Sequence, residues 1–145
     1  MENLQNYLKE KILEFNKKYN VEQSLQYRST IDKEIKRRWE NDYEYIRNQW
    51  QYIGSISDVM SRVDNFTGRV NYFKDKRGFY EDAYDMDLEL YKAILAIRKM
   101  AQCYDIEDKF DFYMFGKDDI DNLFSTLYNG LKDMENINMR RSMQD

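Results

Sequence analysis

The chain has no histidine and no proline, a single cysteine and only five glycines among its 145 residues. Histidine is the commonest general base near neutral pH and the commonest metal ligand. Its absence excludes Ser-His and Cys-His nucleophile pairs, His-bearing zinc sites and phosphohydrolases built on His-Asp pairs. The absence of proline fits long uninterrupted helices joined by glycine-bearing turns. A lone cysteine, Cys103, forms no internal disulfide, which leads us to expect a cytoplasmic location. No run of about eighteen apolar residues occurs, and no charged-then-apolar leader follows Met1, so neither a membrane span nor a secretory signal is expected. The glycines are scattered singly, so no phosphate-cradling loop is present.

The residues that are present suit a folded chain. Hydrophobic residues make up 42%, aromatics 16% and charged residues 34%. One domain spanning residues 1–145 is expected, burying about two-thirds of the surface its unfolded form exposes. The abundance of Asn, Lys, Tyr, Ile and Asp matches the codon bias of an A/T-rich genome, such as a low-GC bacterium or its phage. Net charge is −4, unevenly spread. Residues 1–80 hold 15 basic against 12 acidic groups, residues 81–121 hold 5 against 12, and residues 122–145 hold 3 against 3. The acidity is therefore concentrated in one segment.

Apolar spacing predicts an all-α, antiparallel bundle of about five helices. The first carries Leu4, Leu8, Ile12, Phe15 and Tyr19. A short polar connection with Val21 and Leu25 leads to a cap at Ser29 or Thr30. The second helix, running to Gly54, carries Ile31, Ile35, Trp39, Tyr43, Ile46, Trp50 and Ile53. The third, capped by Ser55 or Ser57, carries Ile56, Val59, Val63, Phe66, Val70 and Phe73, with Gly68 weakening its middle. The fourth, from about Phe79 to Tyr104, carries Ala83, Met86, Leu90, Ile94, Ile97, Ala101 and Tyr104. A short aromatic connection, or one short strand docked on the core, with Phe110, Phe112, Tyr113 and Phe115, is expected before the last helix. That helix, capped by Asp118, carries Ile120, Leu123, Phe124, Leu127, Leu131 and Met134, with a frayed tail after Asn136.

The stretch "KEIKRRWENDYEYIRNQWQYIG", from Lys33 to Gly54, resembles a basic-aromatic binding patch when read linearly. Turned by 100° per residue, it places Trp39 and Trp50 on the same side as Ile35, Ile46 and Ile53. Lys33, Lys36, Arg37 and Arg47 fall opposite, interleaved with Glu40 and Glu44. The tryptophans therefore read as core, with a mixed charged face outside. Arg38 and Asp42 lie beside and within the apolar arc, and a partly buried Arg38–Asp42 ion pair is expected.

Chemistry is thinly represented. "EDAYD", with Glu81, Asp82 and Asp85, is followed by "DIED", with Asp105 and Asp108. Their spacing resembles that of the all-α nucleotide pyrophosphohydrolases of the MazG type, which hold magnesium with an EExxE motif and a later ExxD. The resemblance implies a magnesium-dependent hydrolase, with aspartate in place of the family's glutamate at three of the five positions. In that family the two motifs face each other on separate helices. Here no turn signal interrupts residues 86–104, so Asp85 and Asp105 are expected about 30 Å apart along one helix, too far to share a cation. "DMDLEL" and "DIEDKFD" lack the glycine and glutamate of a calcium loop. Cys103 points off the main apolar face with no cation predicted nearby, and is expected to be inert. No catalytic residue, metal or cofactor is assigned.

Three surfaces remain as binding candidates. Tyr84, Leu88, Tyr91 and Leu95 form a second apolar stripe on the fourth helix, either a buried central face or a partner or homodimer interface. Arg62, Arg69, Lys74, Lys76 and Arg77 form a basic stripe on the third helix, with Tyr72 and Tyr80 nearby for stacking on nucleic acid, although the sequence pI is about 5.0. Asp82, Asp85, Glu89, Glu107, Asp108, Asp111, Asp118, Asp119 and Asp121 form an acidic strip suited to a basic groove on another protein. The leading expectation is a non-enzymatic, cytoplasmic macromolecule-binding protein, in its most concrete form a phage or mobile-element inhibitor of a host nucleic-acid machine acting through that strip. A nucleoprotein subunit using the basic stripe is the alternative, and the hydrolase is third.

Overall fold

The computed structural model describes residues 4–74, 80–104, 110–112 and 115–144, with side chains described at 4–74, 83–104, 110–112 and 115–140. Among the described residues six α-helices follow one another: α1 Leu4–Lys18, α2 Val21–Ile31, α3 Lys33–Gln49, α4 Ile56–Phe73, α5 Tyr80–Gln102 and α6 Lys117–Gln144. A 3₁₀ turn, Trp50–Tyr52, follows α3. The architecture is the expected all-α bundle. No described helix is long and apolar enough to cross a membrane.

The sixth helix comes from the stretch expected to be a polar connection. Asn20 accepts a hydrogen bond from the Gln23 backbone N–H (3.1 Å) and starts α2, which buries Val21 and Leu25 one turn apart. Eleven residues with two buried apolar positions leave too little periodicity to read. The cap expected at Ser29 or Thr30 is instead Asp32, whose Oδ1 accepts from the N–H groups of Glu34 (2.9 Å) and Ile35 (3.2 Å). Ser29 and Thr30 donate back to the Gln26 and Tyr27 carbonyls within α2. Ile31 consequently leaves the stripe of α3 and is 50% exposed. At α4, Ser55 and Asp58 form a reciprocal capping box.

α5 is the central member. Met86, Leu90, Ile94 and Ile97 are buried, and so are Tyr84, Leu88 and Tyr91 of the second stripe, with Leu95 packed against the same core. α3 covers that stripe: Trp39 meets Tyr91 edge-on with centroids 5.5 Å apart, and Asp42 accepts from the Tyr84 hydroxyl (2.7 Å). The stripe is thus an internal face and not an open homodimer surface. A helix apolar on two sides is buried on both.

The described part of the aromatic connection docks on the core, and Tyr113 lies outside the described residues. Phe110 is buried, Phe112 stacks among Tyr104, Phe110 and Phe115, and the Asp111 N–H donates to the Gly54 carbonyl (2.8 Å). α6 begins two residues earlier than a cap at Asp118 requires; Asp119 accepts from the Gly116 N–H (2.7 Å), and Asp118 is exposed in the first turn. The tail expected to fray continues as helix, because Ile137 is buried and Arg140 donates to the Lys74 carbonyl (2.5 Å). Cys103, expected off the apolar face, is buried in the core after α5.

Two mid-helix glycines have opposite reasons for being there. A Cβ at Gly130 in α6 meets Phe66 Cε2 at 2.7 Å, whereas one at Gly68 in α4 meets nothing within 4 Å. Gly68→Ala is expected to raise unfolding free energy by about 1 kcal/mol through helix propensity. Gly130→Ala gains the same propensity but crowds a fully buried ring, where overpacking costs about 1–3 kcal/mol. Urea unfolding should move the two midpoints in opposite directions at unchanged slope.

Candidate functional site

Two polar clusters hold α5 to its neighbours. Asp87 has no exposed surface. It accepts hydrogen bonds from Tyr19 Oη (2.5 Å), Ser24 Oγ (2.8 Å) and Arg28 Nε (2.7 Å), which arrive from the α1–α2 corner. Burial, then the charge of Asp87, pushes the Tyr19 hydroxyl well above the ordinary phenol range. Burial opposes the charge on Arg28, and Asp87 outweighs it, so the guanidinium is held more firmly protonated than usual. Asp87 shares the helical arc of Tyr84, Leu88 and Tyr91, and an acidic residue inside an apolar arc was the signal available in the sequence.

The second cluster corrects the expected Arg38–Asp42 pair. Arg38 donates to Asp85 Oδ1 (2.8 Å) and lies 4.8 Å from the Tyr84 ring centroid, while Asp42 is occupied by the Tyr84 hydroxyl. Arg38 thus ties α3 to α5 across 47 residues, and Asp42 lies within the apolar arc because a buried tyrosine needs an acceptor there.

These contacts change the character of the acidic strip. Asp85 is paired with Arg38 and Glu89 with Lys92 (3.2 Å). Asp119 serves as a helix-start acceptor, and Asp121 accepts from the Tyr7 hydroxyl (2.5 Å). Asp111 and Asp118 are exposed. The side chain of Asp82, and all of Asp105, Glu107 and Asp108, lie outside the described residues, as do those of Lys76, Arg77 and Tyr80. Of the basic stripe, Lys74 turns toward α6 and pairs with Asp133 (3.2 Å), leaving Arg62 and Arg69 on one wall of a groove. Among the described residues no group of three or more Cys, Asp or Glu could hold a metal ion.

That groove is the most distinctive surface of the molecule. α3 and α4 each pack on α5 but make no extended contact with one another, so they part above it. A cleft of about 100 Å³ opens there between Tyr45, Gln49 and Trp50 on one side, Arg62 on the other and Lys92 and Leu95 beneath. A shallower cleft of about 450 Å³ is lined by Asp64, Asn65, Gly68, Arg69, Tyr72 and Glu89. The Glu89–Lys92 ion pair has one member on each cleft. Trp50 is clamped in place: its Nε1–H donates to the Leu95 carbonyl (2.9 Å), and its own carbonyl accepts from Lys99 Nζ (2.8 Å). Lys99, almost fully buried, also binds the Gln51 carbonyl (2.8 Å) and so caps the end of α3. Trp50, expected in the core, is instead half-buried on the cleft wall, and Gln49 and Lys92 were not singled out by sequence reasoning, since each lies on a different helix from the basic stripe.

The outward face of α3 and its turn carries exposed aromatic residues. Tyr45 is 61% and Tyr52 69% exposed. Tyr43 stacks on Trp39 (5.4 Å) and accepts from Arg47 Nη1 (3.1 Å). Comparison with protein-family models, with curated proteins and with solved structures finds no match.

Proposed function

We propose that this chain is a non-enzymatic protein that works by binding another protein, through the outer face of α3, the turn at Trp50–Tyr52 and the groove beside them. The observation that carries the reading is the pair of largely exposed tyrosines, Tyr45 and Tyr52, flanking a fixed tryptophan in that groove. Tyrosine, tryptophan and arginine dominate the energetics of protein interfaces, and tyrosines on a rigid helix lose little freedom on binding. The absence of histidine and the use of Asp85, Asp87 and Glu89 as structural partners support a non-enzymatic role. The narrower version, a phage or mobile-element inhibitor presenting carboxylates to a basic groove, draws support from the exposed Asp118, while Asp85 and Glu89 are engaged within the chain. Arg62 and Arg69 on one groove wall favour the nucleic-acid alternative; Asp64 and Glu89 in the same groove oppose it, because phosphate contacts need clustered positive charge.

Affinity capture from the source cells with the tagged full chain tests the reading. Tyr45→Ala/Tyr52→Ala is expected to reduce recovery of the partner about 30-fold or more, the effect of losing one or two interface hot spots of about 2 kcal/mol each. Equal recovery by both chains would remove this face from the proposal, and nuclease-sensitive recovery would transfer the function to nucleic acid.

A further inference from the structure

Four arginines among the described residues are half-buried: Arg28, Arg38, Arg62 and Arg98. Three of them are paired inside the chain, with Asp87, Asp85 and Glu22 respectively. Arg62 has no hydrogen bond or ion pair with a described residue, and it lines the cleft at Trp50. A partly desolvated guanidinium is stabilised by a carboxylate partner, and in this protein each of the other three has one.

The cleft supplies the remaining requirements. Lys92 brings a second cation, and its partner Glu89 returns one negative charge, so Arg62, Lys92 and Glu89 together leave one net positive charge at the site. A monoanion neutralises that charge; a phosphate dianion exceeds it and would be held unpaired in part. Gln49 adds amide donors, while Ile46, Ile53 and Leu95 make the rest of the wall apolar. The volume of about 100 Å³ is roughly three times a water molecule's share of the liquid, enough for a carboxylate on one or two carbons. We propose that the cleft between Arg62, Lys92 and Trp50 is a carboxylate pocket that receives an aspartate or glutamate side chain of the protein partner. The inference rests on the binding-protein reading for the source of the carboxylate, but its chemistry is tested without a partner, so the two fail separately.

The test is titration of the ¹⁵N-labelled full chain with sodium propionate, an analogue of an acidic side chain, at constant ionic strength, following the Trp50 Nε1–H and Arg62 Nε–H resonances. Both are expected to shift saturably with a half-point in the millimolar range, while the Trp39 indole, packed on Tyr43 and Tyr91 away from the cleft, stays put. Propionamide is expected to bind at least tenfold more weakly. Arg62→Gln should weaken propionate binding at least tenfold, and Lys92→Gln, on a different helix, several-fold; circular dichroism confirms that each variant is folded. Equal movement of both indoles, no saturation up to about 0.1 M, or tighter binding of inorganic phosphate than of propionate would each overturn the proposal.

Discussion

Asp87→Ala is expected to lower the free energy of unfolding by about 3–5 kcal/mol, the cost of removing one partner from a buried ion pair. Three donors converge on this carboxylate, and its loss strands the Arg28 guanidinium together with the Tyr19 and Ser24 hydroxyls. A domain of ordinary stability has about 5–15 kcal/mol in total, so the change consumes a large part of it. A shift of the urea midpoint corresponding to less than about 1 kcal/mol would mean that the network contributes little to stability. The cycle closed with Arg28→Met separates the two components. If the loss comes mainly from the stranded guanidinium, the double variant recovers much of it, because an apolar replacement of a buried pair is often near neutral.

Leu88→Asp is expected to abolish folding. Leu88 is 8% exposed in the second stripe of α5, so the substitution removes about 2–5 kcal/mol of core packing and places a carboxylate within the apolar core. Far-UV circular dichroism and size-exclusion chromatography distinguish the outcomes. A folded monomer that has lost only self-association would return Tyr84, Leu88, Tyr91 and Leu95 to the surface as a partner stripe, against the burial found here.

The parts of the fold that were legible in the sequence are those with sustained periodicity. The stripe of α4, from Val59 to Phe73, and that of α6, from Ile120 to Met134, are buried at every position named from Val59 onward. The two-sided character of α5 was legible for the same reason, since Tyr84, Leu88 and Tyr91 repeat at helical spacing. Short elements were not: α2 has two buried apolar residues, and its boundary with α3 is set by a single aspartate whose capping role competes with the hydroxyls just before it. Long-range pairings were also out of reach. Arg38 has Asp42 one helical turn away, yet it reaches Asp85 because packing of α3 on α5 brings that carboxylate to 2.8 Å. The groove was hidden for a related reason. It exists because two helices separate above a third, and that separation is a property of the packing with no counterpart in the local pattern of any one segment.

The clamp on Trp50 has a spectroscopic consequence. Both tryptophans of the chain belong to α3 or the turn that ends it, and both rest on α5, Trp39 through Tyr91 and Trp50 through the Leu95 carbonyl. Intrinsic indole emission therefore reports the seating of this one helix on the centre of the bundle, whereas ellipticity reports every helix at once. Collected side by side during denaturation, the two signals time the release of α3 against the collapse of the whole, and coincident curves identify the groove-bearing face as part of the same cooperative unit as the core.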